Sequence, residues 1–281
     1  MKPSTIYGVI AAASLAQAIQ PPALNGFKLT WGEDFKGAAG APPDSTAWTI
    51  ALDLQVNNEL QTYTTSNKNL QLSGGETLQI VPVKGSNGAW SSGRIESKAS
   101  YTPQPGKKMQ WQAGIRMGTA ANRKGLWPAW WMLGDAMRHG TGWPMCGELD
   151  IFEQINGLME GFGTIHCGQK EGGVCNEPKG RGVTTTIPDN EFHNWALVVD
   201  RTSNNWQTET IQWLRDGAPF STVTGAEIGD QGIWSTLAHS PFYMLLNVAV
   251  GGNLPGDPDA STESGYGNMM EVSYVGVYES V

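Results

Sequence analysis

The chain contains 281 residues, with 26 acidic and 18 basic side chains and a formal net charge of −8 at pH 7. A protein that binds nucleic acid presents a basic face to the phosphates, so this charge balance argues against a nucleic-acid partner. The 36 glycines and 16 prolines fit many turns between short strands, and the 12 tryptophans offer flat faces for a core or for sugar rings.

The first residues follow the order of regions in a secretory signal peptide. Lys2 supplies the charge of a short polar start, residues 6–15 are mostly apolar or small, and Ala16-Gln17-Ala18 forms a small-x-small cleavage site. We therefore predict a signal peptide over residues 1–18 and a secreted product; an N-terminal helix of the domain is the alternative. The apolar stretch is shorter than the roughly 20 residues that span a bilayer, and no later run approaches that length, so no membrane partner is expected.

Residues 19–281 are predicted to form a single domain, because no linker-like stretch divides them and all-β domains reach about 200–250 residues. Cys167 and Cys175 flank a glycine-rich segment, which favours a disulfide between them in an exported chain. A bridge from Cys146 to one of them is the alternative, and one thiol is left over in either case. No Cys/His spacing resembles a zinc site.

Runs of alternating or β-branched residues bounded by turn residues recur along the chain and predict strands. Such runs cover Leu78–Val83, Trp195–Asp200, Thr210–Leu214 and Met270–Tyr278. Asp216-Gly217 follows one of them and has the chemistry of a hairpin turn. Because long helical periodicity is absent, we predict an all-β fold, an antiparallel sandwich.

The segment from residue 148 to residue 153 contains three acids interleaved with apolar residues. Successive strand residues alternate between the two faces of a sheet, so Glu148 and Asp150 share one face. Glu153 is out of phase with Asp150, and one extra residue would restore the alternation. We therefore predict a β-bulge at residues 151–152 that returns Glu153 to the acidic face.

Carboxylates grouped on one face raise one another's pKa, and glycoside hydrolysis uses such a group. A retaining hydrolase needs an ionised carboxylate that attacks the anomeric carbon and a protonated one that releases the leaving group, about 5–5.5 Å apart. Glu148 and Glu153 would stand roughly 13 Å apart along the strand, a gap that long side chains leaning over Asp150 can close. Asp150 would then hydrogen-bond the nucleophile. The alternative is a solvated acidic face or a cation site.

The run GELDIFE, residues 147–153, resembles the E-x-D-x-x-E signature of glycoside hydrolase family 16 in its laminarinase-like branch. Other branches have E-x-D-x-E, so the additional residue agrees with the predicted bulge. Further matches follow in order at residues 31–35, 57–64, 92–97, 125–133, 163–166, 192–195 and 247–253. The resemblance covers most of the chain after the predicted signal peptide.

The resemblance implies a concanavalin A-like β-jelly-roll sandwich of two antiparallel sheets and a secreted endo-β-1,3(4)-glucanase. It assigns Glu148 as the nucleophile, Asp150 as the assisting acid and Glu153 as the general acid/base of a retaining double displacement on β-1,3- or mixed-linkage glucan. The expected partner is this polysaccharide; we expect a monomer and no cofactor. Alternatives are a transglycosylase, a hydrolase of another glycan such as β-1,3-galactan, and a non-catalytic glucan-binding lectin.

Six further residues are candidates for contact with the glucan, because they match family positions or share a face with one. They are His166 beside the carboxylates, Trp131 and Trp143 as stacking platforms, Trp127 on the face of Trp131, and Asn58 and Arg94 as hydrogen-bonding side chains. The structural alternatives are an interior histidine at 166, a core tryptophan at 131, a surface ion pair at 94 and a turn residue at 58. Trp130 alternates to the other face and is expected in the core.

Two positions depart from the family pattern. Leu254 stands where many laminarinase-like members have the tryptophan of G-G-N-W-P-G, so one aromatic platform at the edge of the cleft is missing. Ser273 stands where the last strand often has an aspartate that can bind calcium. Because a hydroxyl is a poorer ligand for a hard cation than a carboxylate, we expect no tight calcium site, although Glu33 is retained.

Overall fold

The computed structural model describes residues 20–169 and 171–281, so the predicted signal peptide, residues 1–18, lies outside the described residues. The strands are β1 (Phe27–Glu33), β2 (Trp48–Ile50), β3 (Gln61–Tyr63), β4 (Leu70–Leu72), β5 (Leu78–Ile80), β6 (Val83–Lys84), β7 (Trp90–Ser92), β8 (Arg94–Ser97), β9 (Lys108–Met117), β10 (Leu126–Gly134), β11 (Glu148–Glu153), β12 (Glu160–His166), β13 (Arg181–Thr186), β14 (His193–Asp200), β15 (Thr210–Arg215), β16 (Ala218–Thr224), β17 (Phe242–Val250) and β18 (Met270–Ser280). The helices are α1 (Gly225–Ile228) and α2 (Gln231–Ala238). Within the described ranges, no helix is long and apolar enough to cross a membrane.

Two antiparallel sheets contain most of these strands. The first has the order β16-β15-β14-β9-β18-β5-β4, with β1 also paired to β18, and the second has the order β13-β12-β11-β10-β17-β8-β2. The short strands β3, β7 and β6 form a small additional sheet. The predicted all-β class, a jelly-roll sandwich of two antiparallel sheets, is confirmed.

The predicted strands occur, with one division. The run Leu78–Val83 is split between β5 and β6, because Pro82 has no N–H to donate and interrupts the ladder between them. The predicted hairpin turn joins β15 to β16, and Asp216 and Gly217 have φ angles of 52° and 78°. A two-residue hairpin of this hand requires positive φ at both central residues, which the Asp-Gly pair tolerates.

Fully buried aromatic side chains dominate the interior between the two sheets. They include Trp111, Trp130, Trp195 and Trp213. Trp195 and Trp213 reach across from the first sheet to Gly161 and Gly163 on β12, where a Cβ atom would overlap their rings. Glycine at these two positions therefore lets the sheets pack closely around the indoles, and the expected core position of Trp130 is confirmed.

The cysteines follow the preferred pairing. Cys167 and Cys175 form a disulfide with their Cα atoms 5.5 Å apart. Cys146 is a buried free cysteine. The disulfide closes the loop that follows β12, directly after the strand that lies beside the three acids.

Candidate active site

The three acids of β11 lie on one face of the second sheet. In an antiparallel pair, residues directly opposite each other point to the same side. The opposed pairs between β11 and β10 are Glu148 with Leu133, Asp150 with Trp131 and Glu153 with Ala129. Because the three β10 residues are spaced by two and share a face, the three carboxylates share it as well.

A bulge in β11 produces this arrangement, as predicted. Ile151 has no partner on β10, since Trp130 opposes Phe152 and the next residue, Trp131, opposes Asp150. The register against β12 shifts at the same place. The side chains of Ile151 and Phe152 are buried in the core between the sheets, so the extra residue turns apolar groups inward while the acids remain on the outer face.

His166 lies beside two of the acids, opposite Glu148 on the neighbouring strand β12. Its Nε2 atom is 3.8 Å from Oε1 of Glu148 and 3.6 Å from Oδ2 of Asp150. Its Nδ1 atom is 2.7 Å from Oε2 of Glu177. Among the described residues the ring therefore has one hydrogen-bond partner, Glu177, as a satisfied interior histidine would, and its other nitrogen faces the acids of β11.

The three candidate tryptophans surround the acids and are all partly exposed. The Nε1 atom of Trp127 donates a 2.6 Å hydrogen bond to Oε1 of Glu153. Trp131 donates from Nε1 to Oδ1 of Asn247 over 2.7 Å, and its side chain lies on the acid-bearing face rather than in the main core. The ring of Trp143 lies 5.5 Å from the ring of His166, at the end of the acid row where Glu148 stands.

Arg94 lies close to this face, whereas Asn58 is placed by a contact with another loop, and neither hydrogen-bonds the three acids within the described part of the chain. Arg94 is buried, donates from Nε and Nη2 to Oε1 of Glu96, and lies 5.0 Å from the centre of the Trp131 ring. It forms an ion pair, but a buried one rather than the surface pair considered from the sequence. Asn58 is an exposed turn residue with φ of 58°, and its side-chain amide donates to Oδ1 of Asn253 over 2.7 Å.

The electrostatics of the acids follow from their burial and proximity. Asp150 and Glu153 are 3% and 8% exposed. Burial raises the pKa of all three carboxyls above its ordinary value, and for Glu148 the charges of Glu153 and Glu177 raise the pKa further. Arg94 and a hydrogen bond from Trp143 act in the opposite direction on Glu148. Carboxyls that repel one another at this depth retain protons near neutral pH.

Sequence reasoning missed two residues that hold candidate side chains. Glu177 is buried and accepts hydrogen bonds from the main-chain N–H of Cys167 and from His166. The sequence contains one indication of its role: Glu177 stands two residues after Cys175, and the disulfide folds that segment back onto the end of β12. Asn247, inside a motif quoted for the family, accepts from Trp131 and donates to the hydroxyl of Tyr63.

Two groups of residues bear on cation binding. One carboxylate oxygen each from Glu148 and Asp150 and a ring nitrogen of His166 lie within 4.8 Å of one another, a spacing at which they could hold a divalent cation. The two residues considered for calcium make hydrogen bonds within the fold. The two oxygens of Glu33 accept from Phe35 N and Trp48 Nε1, and the hydroxyl of Ser273 donates to a carbonyl.

Comparison with known proteins identifies the family. A family model described as "XgeA-like, catalytic GH16 domain" matches residues 55–209. The chain is 30% identical to a glucan endo-1,3-beta-glucosidase of Cryptopygus antarcticus, with 88% of this chain and 90% of the relative covered. It is also 30% identical to glucan endo-1,3-beta-glucosidase A1 of Niallia circulans, over 92% of this chain but 39% of that longer protein.

Among solved structures, the endo-1,3-beta-glucanase from Streptomyces sioyaensis superimposes with a TM-score of 0.86 at 34% sequence identity. The match covers 92% of this chain and 98% of that one. The family matches and this likeness agree with the resemblance carried by the E-x-D-x-x-E segment. The chain therefore belongs to glycoside hydrolase family 16 and is a glycoside hydrolase.

Proposed function

We propose that this chain is a secreted endo-β-1,3(4)-glucanase that hydrolyses β-1,3- or mixed-linkage β-glucan with retention of anomeric configuration. The observation that carries the proposal is the row of Glu148, Asp150 and Glu153 on one face of β11, with Trp127 and Trp131 beside it. The names of the relatives from Cryptopygus antarcticus and Streptomyces sioyaensis support β-1,3-glucan as the substrate class.

In the proposed first step, a carboxylate oxygen of Glu148 attacks the anomeric carbon while Glu153 protonates the departing glycosidic oxygen. The covalent glycosyl-enzyme is then hydrolysed by water, from which Glu153 takes the proton. The β10 partners of the two glutamates are four residues apart, roughly 13 Å of strand. Retention requires carboxyls ~5–5.5 Å apart, a separation that two long side chains leaning toward each other can reach.

The surroundings of each acid suit these roles. Burial raises the pKa of Glu148 to about 8, and Arg94 and the hydrogen bond from Trp143 act against that rise, so they favour the charged form that a nucleophile needs. The reactive form of the proposed enzyme is the one in which Glu148 is ionised while Asp150 and Glu153 hold protons. Burial keeps a proton on Glu153 near neutral pH, which a general acid needs. The pKa of Asp150 is raised well above its ordinary value by burial, so a protonated Asp150 can donate a hydrogen bond to the attacking carboxylate of Glu148.

The tryptophans supply stacking surfaces for neutral sugar rings. Arg94 lies against the Trp131 ring and, together with the hydrogen bond to Asn247, holds it at a defined angle beside Asp150. Trp143 offers a second ring at the Glu148 end of the row, and Trp127 a third at the Glu153 end. We assign His166, Asn58 and Arg94 to the same glucan-binding surface. Asn58 would act at the edge of this surface by holding the loop that carries Asn253.

We assign separate roles to the leader and to the remainder of the chain. Residues 1–18 direct export and are removed, and residues 19–281 act as one catalytic domain. The domain works as a monomer without a cofactor, a nucleic-acid partner or a membrane partner. The order of regions in the leader supports export, and the net charge of −8 is compatible with a neutral polysaccharide partner.

The test is hydrolysis of a substrate panel by the purified protein and two Gln variants. Reducing ends should appear from laminarin and from mixed-linkage glucan, and the first product seen by ¹H NMR should be the β-anomer. Glu148→Gln should reduce hydrolysis to background with the fold intact. Glu191→Gln, at an exposed position in the loop before β14 of the first sheet, is the matched control and should retain full activity.

A separate measurement distinguishes the two glutamates. With an aryl β-glucoside whose leaving group needs no proton, Glu153→Ala should still form the glycosyl-enzyme, and azide should restore turnover and give the β-glycosyl azide. Glu148→Ala should give no covalent intermediate. Binding without hydrolysis in the wild type would indicate the lectin alternative, longer products the transglycosylase, and turnover of galactan alone a different glycan specificity.

A further inference from the structure

Glu177 is a buried carboxylate that the proposed reaction does not use directly. It lies in the loop after β12, its side chain is fully enclosed, and it accepts two hydrogen bonds. One comes from the main-chain N–H of Cys167, at 2.8 Å to Oε1, and the other from Nδ1 of His166, at 2.7 Å to Oε2. Each oxygen thus has its own donor, so the carboxylate has one well-defined orientation.

This contact determines which nitrogen of His166 carries the proton. A carboxylate can only accept, so Nδ1 of the ring must donate to Glu177. In the neutral imidazole, Nε2 is then an acceptor, and it is the atom that faces Glu148 at 3.8 Å and Asp150 at 3.6 Å. Both separations are longer than a hydrogen bond, so a small movement of a protonated carboxyl would let it donate to Nε2 in place of its carboxylate neighbour.

The ring of His166 is also restrained from its other sides. Gly180 approaches so closely that a Cβ there would lie 2.7 Å from Cε1 of His166. The ring of Trp143 lies 5.5 Å away at an angle of 48°. The packing limits the position of the ring, and the bond to Glu177 is its one hydrogen bond within residues 20–169 and 171–281.

We propose that Glu177 is a positioning residue for the proposed glucanase reaction. It holds His166 with Nε2 directed at Glu148 and Asp150, which we call the nucleophile pair. The loop closed by the Cys167–Cys175 disulfide holds Glu177 in turn. This inference rests on the proposed function, because its effect on turnover requires Glu148 to be the nucleophile. Glu177 itself touches neither the substrate face nor the reacting atoms.

The loop has two restraints that keep Glu177 in place. The disulfide joins Cys167, whose N–H binds Glu177, to Cys175, two residues before it. The main chains of Gly172 and Glu177 exchange two hydrogen bonds of 2.8 and 2.9 Å. Opening the disulfide would remove the first restraint, so we expect the orientation of His166 to be less well fixed in the reduced loop.

The consequence is an effect on turnover rather than on binding. Because Glu177 acts through His166 on Glu148 and Asp150, its loss should disturb the proton arrangement of the nucleophile pair and leave the stacking tryptophans unchanged. A general loss of stability would instead lower the amount of folded enzyme without changing kcat per folded molecule. The two explanations therefore predict different kinetics.

The test compares Glu177→Gln with a matched control, Glu209→Gln. Glu209 is likewise a buried carboxylate, accepting from Nε1 of Trp234 and Nε2 of His239, but it lies next to the first sheet. Gln keeps the size of Glu177 and removes one of its two acceptors. We expect Glu177→Gln to lower kcat on laminarin at least tenfold with KM changed less than about twofold, and Glu209→Gln to leave kcat unchanged.

A second readout does not depend on activity. The chain contains four histidines, so the ring ¹⁵N resonances of His166 can be assigned, and Glu177→Gln should shift them out of the Nδ1–H form. Cys167→Ala/Cys175→Ala should move kcat in the same direction. Unchanged kcat and unchanged resonances in Glu177→Gln would overturn the inference, as would an equal fall in kcat for Glu209→Gln. Absence of wild-type hydrolysis would reject the proposed function instead, while the resonances would still test the His166 contact.

Discussion

The indole N–H of Trp213 donates a 2.7 Å hydrogen bond to the main-chain carbonyl of Asp150. Trp213 belongs to β15 in the first sheet, so this bond crosses the interior of the sandwich and ends at the bulge in β11. A bulge interrupts the hydrogen-bond ladder, and a buried carbonyl left without a donor is costly. The bond therefore supports the distortion that brings Glu153 onto the acid face.

Replacement of Trp213 by Phe should destabilise the fold specifically through this lost bond. The Asp150 carbonyl would lose this buried donor, which costs about 0.5–1.5 kcal/mol in the free energy of unfolding. Trp111→Phe is the matched control, because Trp111 is equally buried but its Nε1 has no partner among residues 20–169 and 171–281. Denaturant unfolding of both variants measures the difference; equal destabilisation would contradict the role of this bond.

Replacement of Trp127 by Phe should move the alkaline limb of the pH profile of kcat/KM to higher pH. Burial raises the pKa of Glu153 to about 7, and the hydrogen bond from Trp127 counteracts part of that rise because it stabilises the charged carboxylate. Without the bond the pKa rises further, by about one unit. The proton of the general acid is then retained to higher pH, so kcat/KM should fall at a pH about one unit higher.

The pH profile of kcat/KM on laminarin measures this shift. Trp31→Phe, on β1 of the other sheet, provides a control whose alkaline limb should coincide with that of the wild type. A limb that moves to lower pH in Trp127→Phe would show that the indole does not stabilise the charged form of Glu153.

Glu153→Gln should stabilise the protein at alkaline pH but not at acidic pH. The folded-state pKa of Glu153 lies above its ordinary value of 4.5, so the folded state binds more protons than the unfolded state between about pH 4.5 and 7. The free energy of unfolding therefore falls as the pH rises through this window, by up to about 3 kcal/mol in total. The neutral Gln side chain does not titrate and avoids this loss.

Thermal unfolding at pH 4 and pH 8 tests the sign. The melting temperature of Glu153→Gln should exceed that of the wild type at pH 8 and approach it at pH 4. The exposed Glu160→Gln should show no such pH-dependent difference. A variant less stable than the wild type at pH 8 would mean that burial of the charged Glu153 carboxylate does not destabilise the folded state.

Leu254→Trp should improve binding of glucan at the edge of the cleft. Leu254 is 49% exposed and follows Asn253, which is fixed by hydrogen bonds to Asn57 and Asn58. A new indole there would add a stacking surface worth about 0.5–1.5 kcal/mol, or roughly three- to tenfold in KM for laminarin. Leu29→Trp, at an exposed position on β1, should leave KM unchanged. A KM that is equal in both variants would exclude a role for position 254.

Local patterns were sufficient for much of the fold and for the acid row. The alternation of Glu148 and Asp150, together with the phase error at Glu153, predicted the bulge because side-chain direction in a strand depends only on sequence position. The spacing of Trp130 and Trp131 likewise predicted one core and one surface tryptophan. Arg94 was harder, because a sequence pattern does not report whether a charged residue is covered by the elements around it.

The sequence by itself determined the strand class, the bulge in β11, the shared face of the acids and the family, because each is written in neighbouring residues. Only the tertiary structure decided that Glu177 holds His166, that Trp213 supports the carbonyl of Asp150, and that the acids are buried deeply enough to raise their pKa. These contacts join residues that are distant in the chain or lie in a loop. Their formation depends on how two sheets and a disulfide-closed loop pack in space, which no local periodicity specifies.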